Sequence, residues 1–170
     1  MTKAVQDLMV EVARIRDAFH AAIYSSPDPD AAMALTTTGC TLANLPAGTG
    51  GTGAGVRRYL ADEVLPHLPT DLTFRRVSRT VDRWRVAQED IIGFTHDREL
   101  PWLLPGVAPT GRHAEVLAIS VVTIERSRIA SHRTLWDHAA LLSQLGLDHD
   151  QLGSVASTSQ PPRGVGPARS

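Results

Sequence analysis

Val5, Leu8, Val12, Ile15, Phe19 and Ile23 follow one another at steps of three and four, with polar and charged residues between them. That spacing draws one apolar stripe and predicts a helix from about Ala4 to Tyr24. Ser25-Ser26-Pro27 breaks it, and Asp28 before Pro29 predicts an N-cap with proline in the first turn of a short helix through Leu35. Thr36–Leu45 is rich in β-branched residues and predicts a strand, with Leu42 and Asn44 on one face and Thr41 and Ala43 on the other. A glycine loop over Pro46–Gly55 leads into a third helix with Val56, Tyr59, Leu60 and Val64 on its apolar side, ended by Pro66 and Pro69. From Leu72 the period changes to two. It predicts strands at Leu72–Val81, Trp84–Gln88, Asp90–Asp97, Ala114–Glu125 and Arg128–Trp136, with a tight turn at Arg126-Ser127. A closing helix follows over Asp137–Leu145, stopped by Gly146 in a left-handed cap.

Helices first and then a run of antiparallel strands predict an α+β fold, with the helices on one side of a curved sheet. From Ser154 the chain reads SVASTSQPPRGVGPARS, which holds too little apolar surface to offset the entropy of ordering it. The expectation is one domain over 1–153 and a disordered tail over 154–170. A chain of 170 residues, 42% of them hydrophobic, suits that single core.

Charge narrows the partners. Seventeen basic against eighteen acidic residues leave a net charge of −1, so no broad basic field exists for phosphates, and nucleic acid is not an expected partner. No apolar run approaches the roughly 18 residues that would span a bilayer, and charges interrupt the N-terminal stretch MTKAVQDLMVEVARIRDAF, so neither membrane nor signal peptide is expected. Cys40 is the single cysteine, which excludes an internal disulfide and fits a cytoplasmic location.

Several chemistries fail on spacing. Gly48-Thr49-Gly50-Gly51-Thr52-Gly53 matches the dinucleotide-binding glycine pattern, but Pro46 separates it from the strand and the alternating strands and helices of a parallel sheet are missing. The preferred reading is a flexible loop at the mouth of the fold, with no cofactor. His20, His67, His96, His113, His132, His138 and His149 show no metal-ligand spacing, and no metal is expected. No serine sits in a nucleophile elbow, and Cys40 lies inside a strand, where it reads as core.

Acid–base chemistry remains. In the last predicted strand His132, Thr134 and Trp136 share a face, and Asp137 follows where it ends; earlier, Phe94, His96 and Arg98 share one. If both faces look into the concavity, two imidazoles, a guanidinium and a carboxylate converge beside aromatic walls, which suits proton transfer. Asn44, pointing inward, would hold a substrate oxygen, and Phe19, Tyr59 and Trp102 would complete the lining. The structural alternatives stay open: Asp137 is equally well placed as the N-cap of the closing helix. The histidines could be wall residues, the tryptophans packing, and Asp97-Arg98-Glu99 a solvated loop.

The stretch Ile129-Ala-Ser-His-Arg-Thr-Leu-Trp-Asp137, continuing to Gln144-Leu-Gly146, resembles the ending of SnoaL-like polyketide cyclases. Leu104-Pro-Gly-Val-Ala-Pro-Thr-Gly111-Arg, after Thr95-His96, resembles their PTGR loop, and Thr41–Gly51 resembles an ester-cyclase branch of the nuclear-transport-factor-like superfamily. The resemblance covers most of Val5–Leu147 and implies a cystatin-like cone enclosing a pocket, with no cofactor. The family's general acid/base aspartate stands seven residues before the Gln of QLG, which is Asp137. Two departures bear on substrate: extra residues between His96 and the PTGR loop, and His132 where relatives often carry an acid. The expectation is a cofactor-independent cyclase, isomerase or epoxide-opening enzyme on an apolar small metabolite, with Asp137 moving the proton and His132 or His96 orienting it. A non-catalytic binding module of the same fold is the competing reading, and a homodimer is expected under either, because an open sheet face needs a cover.

Overall fold

The apolar stripe at the start of the chain forms helix α1 (Lys3–Tyr24), in a computed structural model that describes residues 2–147. The expected tail and His149 lie outside the described residues. Val12, Ile15, Phe19 and Ile23 are buried, and so is Arg16, which shares their face. Each larger apolar side chain buried contributes about 1.5–3 kcal/mol. That face holds the helix, since Thr2 makes no side-chain cap. Helix α2 (Pro29–Ala34) is capped as its sequence predicts: the Asp28 carboxylate accepts from the backbone N–H groups of Asp30 and Ala31.

Strand β1 spans Thr36–Leu45 and β2 spans Thr49–Thr52, inside the predicted glycine loop. Gly50 makes that pairing possible: its φ is +145°, and a Cβ there would collide with the Leu42 carbonyl oxygen. Helix α3 (Ala54–Arg58) runs on through a π-helical turn at Tyr59–Val64 and a 3-10 turn at Leu65–His67. Then come β3 (Thr73–Val81), β4 (Arg85–Thr95), β5 (His113–Glu125), β6 (Arg128–Trp136) and helix α4 (His138–Leu145). Strand β4 is continuous where the sequence predicted two strands, and it stops short of His96 and Asp97. Arg126 and Ser127 both adopt positive φ, as a tight β5–β6 turn requires. Gly146 closes α4 in the left-handed conformation expected of it.

The strands form one open six-stranded sheet in the order β2-β1-β6-β5-β4-β3. All pairs are antiparallel except β1 with β6, which run parallel and bring the first and last strands together. Helix α1 lies across β3 to β6. Helix α4 docks on β5 through Gln144, whose amide accepts from the Glu115 N–H and donates to the Glu115 carbonyl, each at 2.9 Å. Gln144 thus takes the place of a strand partner at that point.

The register defines three cross-strand rows on the face under α1. Val86, Val122, His132 and Leu42 form the first; Gln88, Ser120, Thr134 and Asn44 the second; Asp90, Ala118 and Trp136 the third. The first and third rows are mostly apolar. The second is polar from end to end.

Candidate active site

Two lobes of one concavity lie over these rows, and Tyr24, His132 and Thr134 line both. The first is walled by Ile23, Leu42, Asn44, Tyr59, Leu60 and Trp102 among others. The second is walled by Arg16, His20, Phe74, Asp90, Ser120 and Trp136 among others.

The first lobe holds a directed chain of neutral hydrogen bonds. Thr49 donates to the Trp102 carbonyl, so its oxygen is the acceptor for the Tyr59 hydroxyl at 3.3 Å. Tyr59 in turn accepts from the Asn44 amide at 2.6 Å. The β1–β2 hairpin is tied by this chain to the Trp102 segment and to the π-helical turn that carries Tyr59. Burial raises the Tyr59 pKa, the bonds from Thr49 and Asn44 working against it.

The second lobe is built on charge. Asp90, 5% exposed, takes the Gln88 amide on both oxygens, at 2.9 and 2.7 Å, and the Arg16 guanidinium stands 3.9 Å away. Gln88 accepts from Arg79 at 2.6 Å, and Arg79 and Arg16 both pair with Asp17. The loop closes back on Asp90, two cations against two anions. Burial lowers the Arg16 pKa, and the nearby Arg79 cation lowers it further. Burial pushes Asp17 up, but Arg79 and Arg16 outweigh it and hold the carboxyl below its ordinary value.

Two imidazoles face this network uncharged. Desolvation first, then the Arg16 cation and His20, bring His132 down to about 3. Desolvation and Arg16 bring His20 down to about 4, against the pull of Asp90 and Asp17. Phe19 packs edge-on against His132 at 5.8 Å, and His20 is held between Tyr24 and Phe74. Burial raises the Tyr24 pKa, so its phenol stays a neutral donor. The Ser120 hydroxyl and the indole N–H groups of Trp102 and Trp136 are buried without a protein partner. Such groups are costly unless a ligand or water meets them. A neutral histidine and a phenol beside a buried carboxylate can polarise a substrate oxygen while the carboxylate moves a proton.

Of the residues expected from sequence, the concavity gathers His132, Asn44, Tyr59, Trp102 and Trp136, with Phe19 behind His132. Four others lie elsewhere. Asp137 is exposed, ends β6 and accepts from the Ala140 N–H as the cap of α4. His96 is fully buried beyond β4; its Nδ1 accepts from the Thr110 N–H at 3.3 Å, while its backbone bonds Gly111 and Arg112. It shapes the PTGR loop and lines neither lobe, because β4 has already ended and the chain has turned away. Arg98 pairs with Asp97 at 2.9 Å outside both lobes, and Phe94 is core. The sequence reading missed Arg16, His20, Tyr24, Asp90 and Ser120. The signal was present for two of them: Arg16 and His20 stand one turn apart on the stripe of Val12, Phe19 and Ile23.

Among the described residues no cluster of three or more His, Cys, Asp or Glu could hold a metal ion, and no helix is long and apolar enough to cross a membrane.

No family model matches the chain, and no curated protein matches it. Solved structures do. A candidate SnoaL-like polyketide cyclase from Jannaschia sp. CCS1 superposes with a TM-score of 0.67 at 16% identity, over 83% of this chain and 95% of that one. A candidate polyketide cyclase from Acidithiobacillus ferrooxidans gives 0.63 at 18% identity, over 80% and 94%. A ketosteroid isomerase-like protein from Catenulispora acidiphila, crystallised with trimethylamine, gives 0.59 at 17%, over 80% and 95%. The fold of this chain is therefore that of the SnoaL-like and NTF2-like proteins, as the motifs implied, with its sheet left open.

Proposed function

We propose that this chain is a cofactor-independent acid/base enzyme of the cyclase or isomerase type, acting on a largely apolar small organic molecule held in the two-lobed concavity. The observation that carries the reading is Asp90: a buried carboxylate facing the second lobe beside two neutral imidazoles and an unpartnered serine hydroxyl. The fold-level likeness to candidate cyclases and an isomerase-like protein agrees with it but does not transfer an activity by itself.

In this reading Asp90 takes a proton from a carbon next to a carbonyl. The electron pair of the broken C–H bond moves onto the carbonyl oxygen. Tyr24 or His132, at the junction of the lobes, donates a hydrogen bond to that oxygen as its charge grows. Protonated Asp90 then returns the proton to carbon, or the carbanion closes on a second carbonyl and that oxygen is protonated. Gln88 keeps the carboxylate aimed, and Arg16 compensates its charge while it is ionised.

The test is to incubate native protein and Asp90→Asn with a metabolite mixture and compare the compounds by mass spectrometry. A compound converted by the native protein and only bound by the variant supports the reading. A compound retained unchanged by both favours the binding module, which the closed ion network around Asp90 would also suit.

We further propose that a second copy covers the outer sheet face, where Leu135 is 52% exposed beside its half-covered cross-strand neighbour Ile119. Light scattering would read twice the chain mass; a monomer would end that proposal.

A further inference from the structure

The polar second row of the sheet has unspent hydrogen-bonding capacity. Gln88, at one end, is fully used by Arg79 and Asp90. The next three positions are not. The Ser120 hydroxyl is buried and meets no protein group. Among the described residues the Thr134 hydroxyl has no hydrogen-bond partner either, and Asn44 spends its amide N–H on Tyr59 and the Trp102 carbonyl while its Oδ1 accepts nothing. Ser120 belongs to the second lobe, Asn44 to the first, and Thr134 to both. Apolar residues flank this belt on either side: Val122 and Leu42 in the row above, Ala118 and Trp136 in the row below. The Ser120 hydroxyl, buried and unpaired, is costly unless a ligand or water meets it, while Thr134 and Asn44 are half-buried and leave their oxygens free to accept.

The belt crosses three adjacent strands, β5, β6 and β1, at right angles to their run. Neighbouring strands lie about 4.8 Å apart, so Ser120 and Asn44 stand about 10 Å from each other. We propose that Ser120, Thr134 and Asn44 form a measuring subsite, selecting an elongated ligand with hydrogen-bonding groups at both ends about 10 Å apart. One group, at Ser120, lies beside Asp90. The distal group must be a donor to satisfy Asn44 Oδ1, which makes it a hydroxyl or an N–H rather than an ether or ketone. The inference rests on the acid/base reading for which end reacts, but not for the selection by length.

The experiment is calorimetric titration of the full chain with 4,4'-biphenol, 4-phenylphenol, hydroquinone and phenol. The two oxygens of 4,4'-biphenol match the belt, and those of hydroquinone are too close together to bridge it. We expect 4,4'-biphenol to bind about tenfold tighter than 4-phenylphenol, beyond the factor of about two that its symmetry supplies. Hydroquinone should gain only that symmetry factor over phenol. Ser120→Ala and Asn44→Ala should each bring the biphenol advantage down to the symmetry factor. Ser120→Ala decides the matter if Asn44→Ala loosens the Tyr59 chain, because Ser120 supports no protein hydrogen bond. An equal affinity for the one- and two-hydroxyl biphenyls, or an advantage that survives Ser120→Ala, overturns the subsite. Asp90→Asn separates the two readings: it should keep the biphenol advantage even where turnover is lost.

Discussion

The two lobes share Tyr24, His132 and Thr134, yet they are held together by opposite means. On the Asn44 side, a neutral chain runs from the Asn44 amide through the Tyr59 and Thr49 hydroxyls, each of which takes one hydrogen bond and gives another, to the accepting Trp102 carbonyl. On the Asp90 side, Arg16, Asp17, Arg79 and Gln88 surround a buried carboxylate with charge. A neutral chain costs little to break and fixes shape. A buried charge network costs much to break, and it leaves an ionisable group where substrate can meet it. Shape and selection belong to the first lobe under this division, and chemistry to the second.

The sharpest way to test that division is to remove one carboxylate and one phenol. Asp90→Asn should cost on the order of a hundredfold to ten-thousandfold in turnover. Tyr59→Phe, which deletes only a neutral link, should cost roughly tenfold or less, mostly in substrate affinity. Equal losses in steady-state assays of the two variants would erase the distinction.

Stability gives the next largest contrast. Arg16→Met strips the cation that faces Asp90 and leaves its charge buried, so it should destabilise the fold by about 3–5 kcal/mol in urea unfolding. Adding Asp90→Asn to that protein should restore much of the loss. Thr49→Val in the neutral lobe should cost only about 1 kcal/mol.

The imidazoles add a pH signature to the charged side. His132 and His20 are held at about 3 and about 4 in the folded chain, below the ordinary histidine value of 6.5 that applies when it unfolds. Between those limits the unfolded chain binds more protons, so stability falls as pH drops through 6.5 and stops falling on this account near 3 to 4. Each histidine contributes a slope of up to about 1.4 kcal/mol per pH unit. Urea unfolding between pH 7 and pH 5 reads it directly. His132→Gln should lower the slope by its own share, up to about 1.4 kcal/mol per pH unit. An unchanged slope would show that His132 is not desolvated.

What the sequence revealed follows the same division. Elements with side chains to alternate were legible: β6 has its predicted bounds, β1 likewise, and Gly146 ends α4 where expected. Strand β2 escaped because Thr-Gly-Gly-Thr offers no alternation to read. The more telling miss is β4. The run Gln88-Glu89-Asp90 interrupts the apolar period and predicts a break at Glu89, yet Gln88 and Asp90 point inward on one unbroken strand. Polar residues at inward positions are what a site consists of, so the rule that locates a core is blind to them. Arg16 and His20 were hidden on α1 for the same reason.

The smallest expected effect carries the most weight for the resemblance that first suggested the chemistry. The motif points to Asp137; the geometry gives that residue an exposed place at the head of α4, with an oxygen on the Ala140 N–H. Asparagine caps a helix about as well as aspartate, so Asp137→Asn should leave stability within about 0.5 kcal/mol. If the proton is moved inside the second lobe, turnover should also change by less than about twofold, against the large loss expected of Asp90→Asn. A large loss at Asp137 with Asp90→Asn still active would transfer the acid/base role to the end of β6. The charged network of the second lobe would then be a brace that ties α1 to the sheet through Asp17 and Arg79.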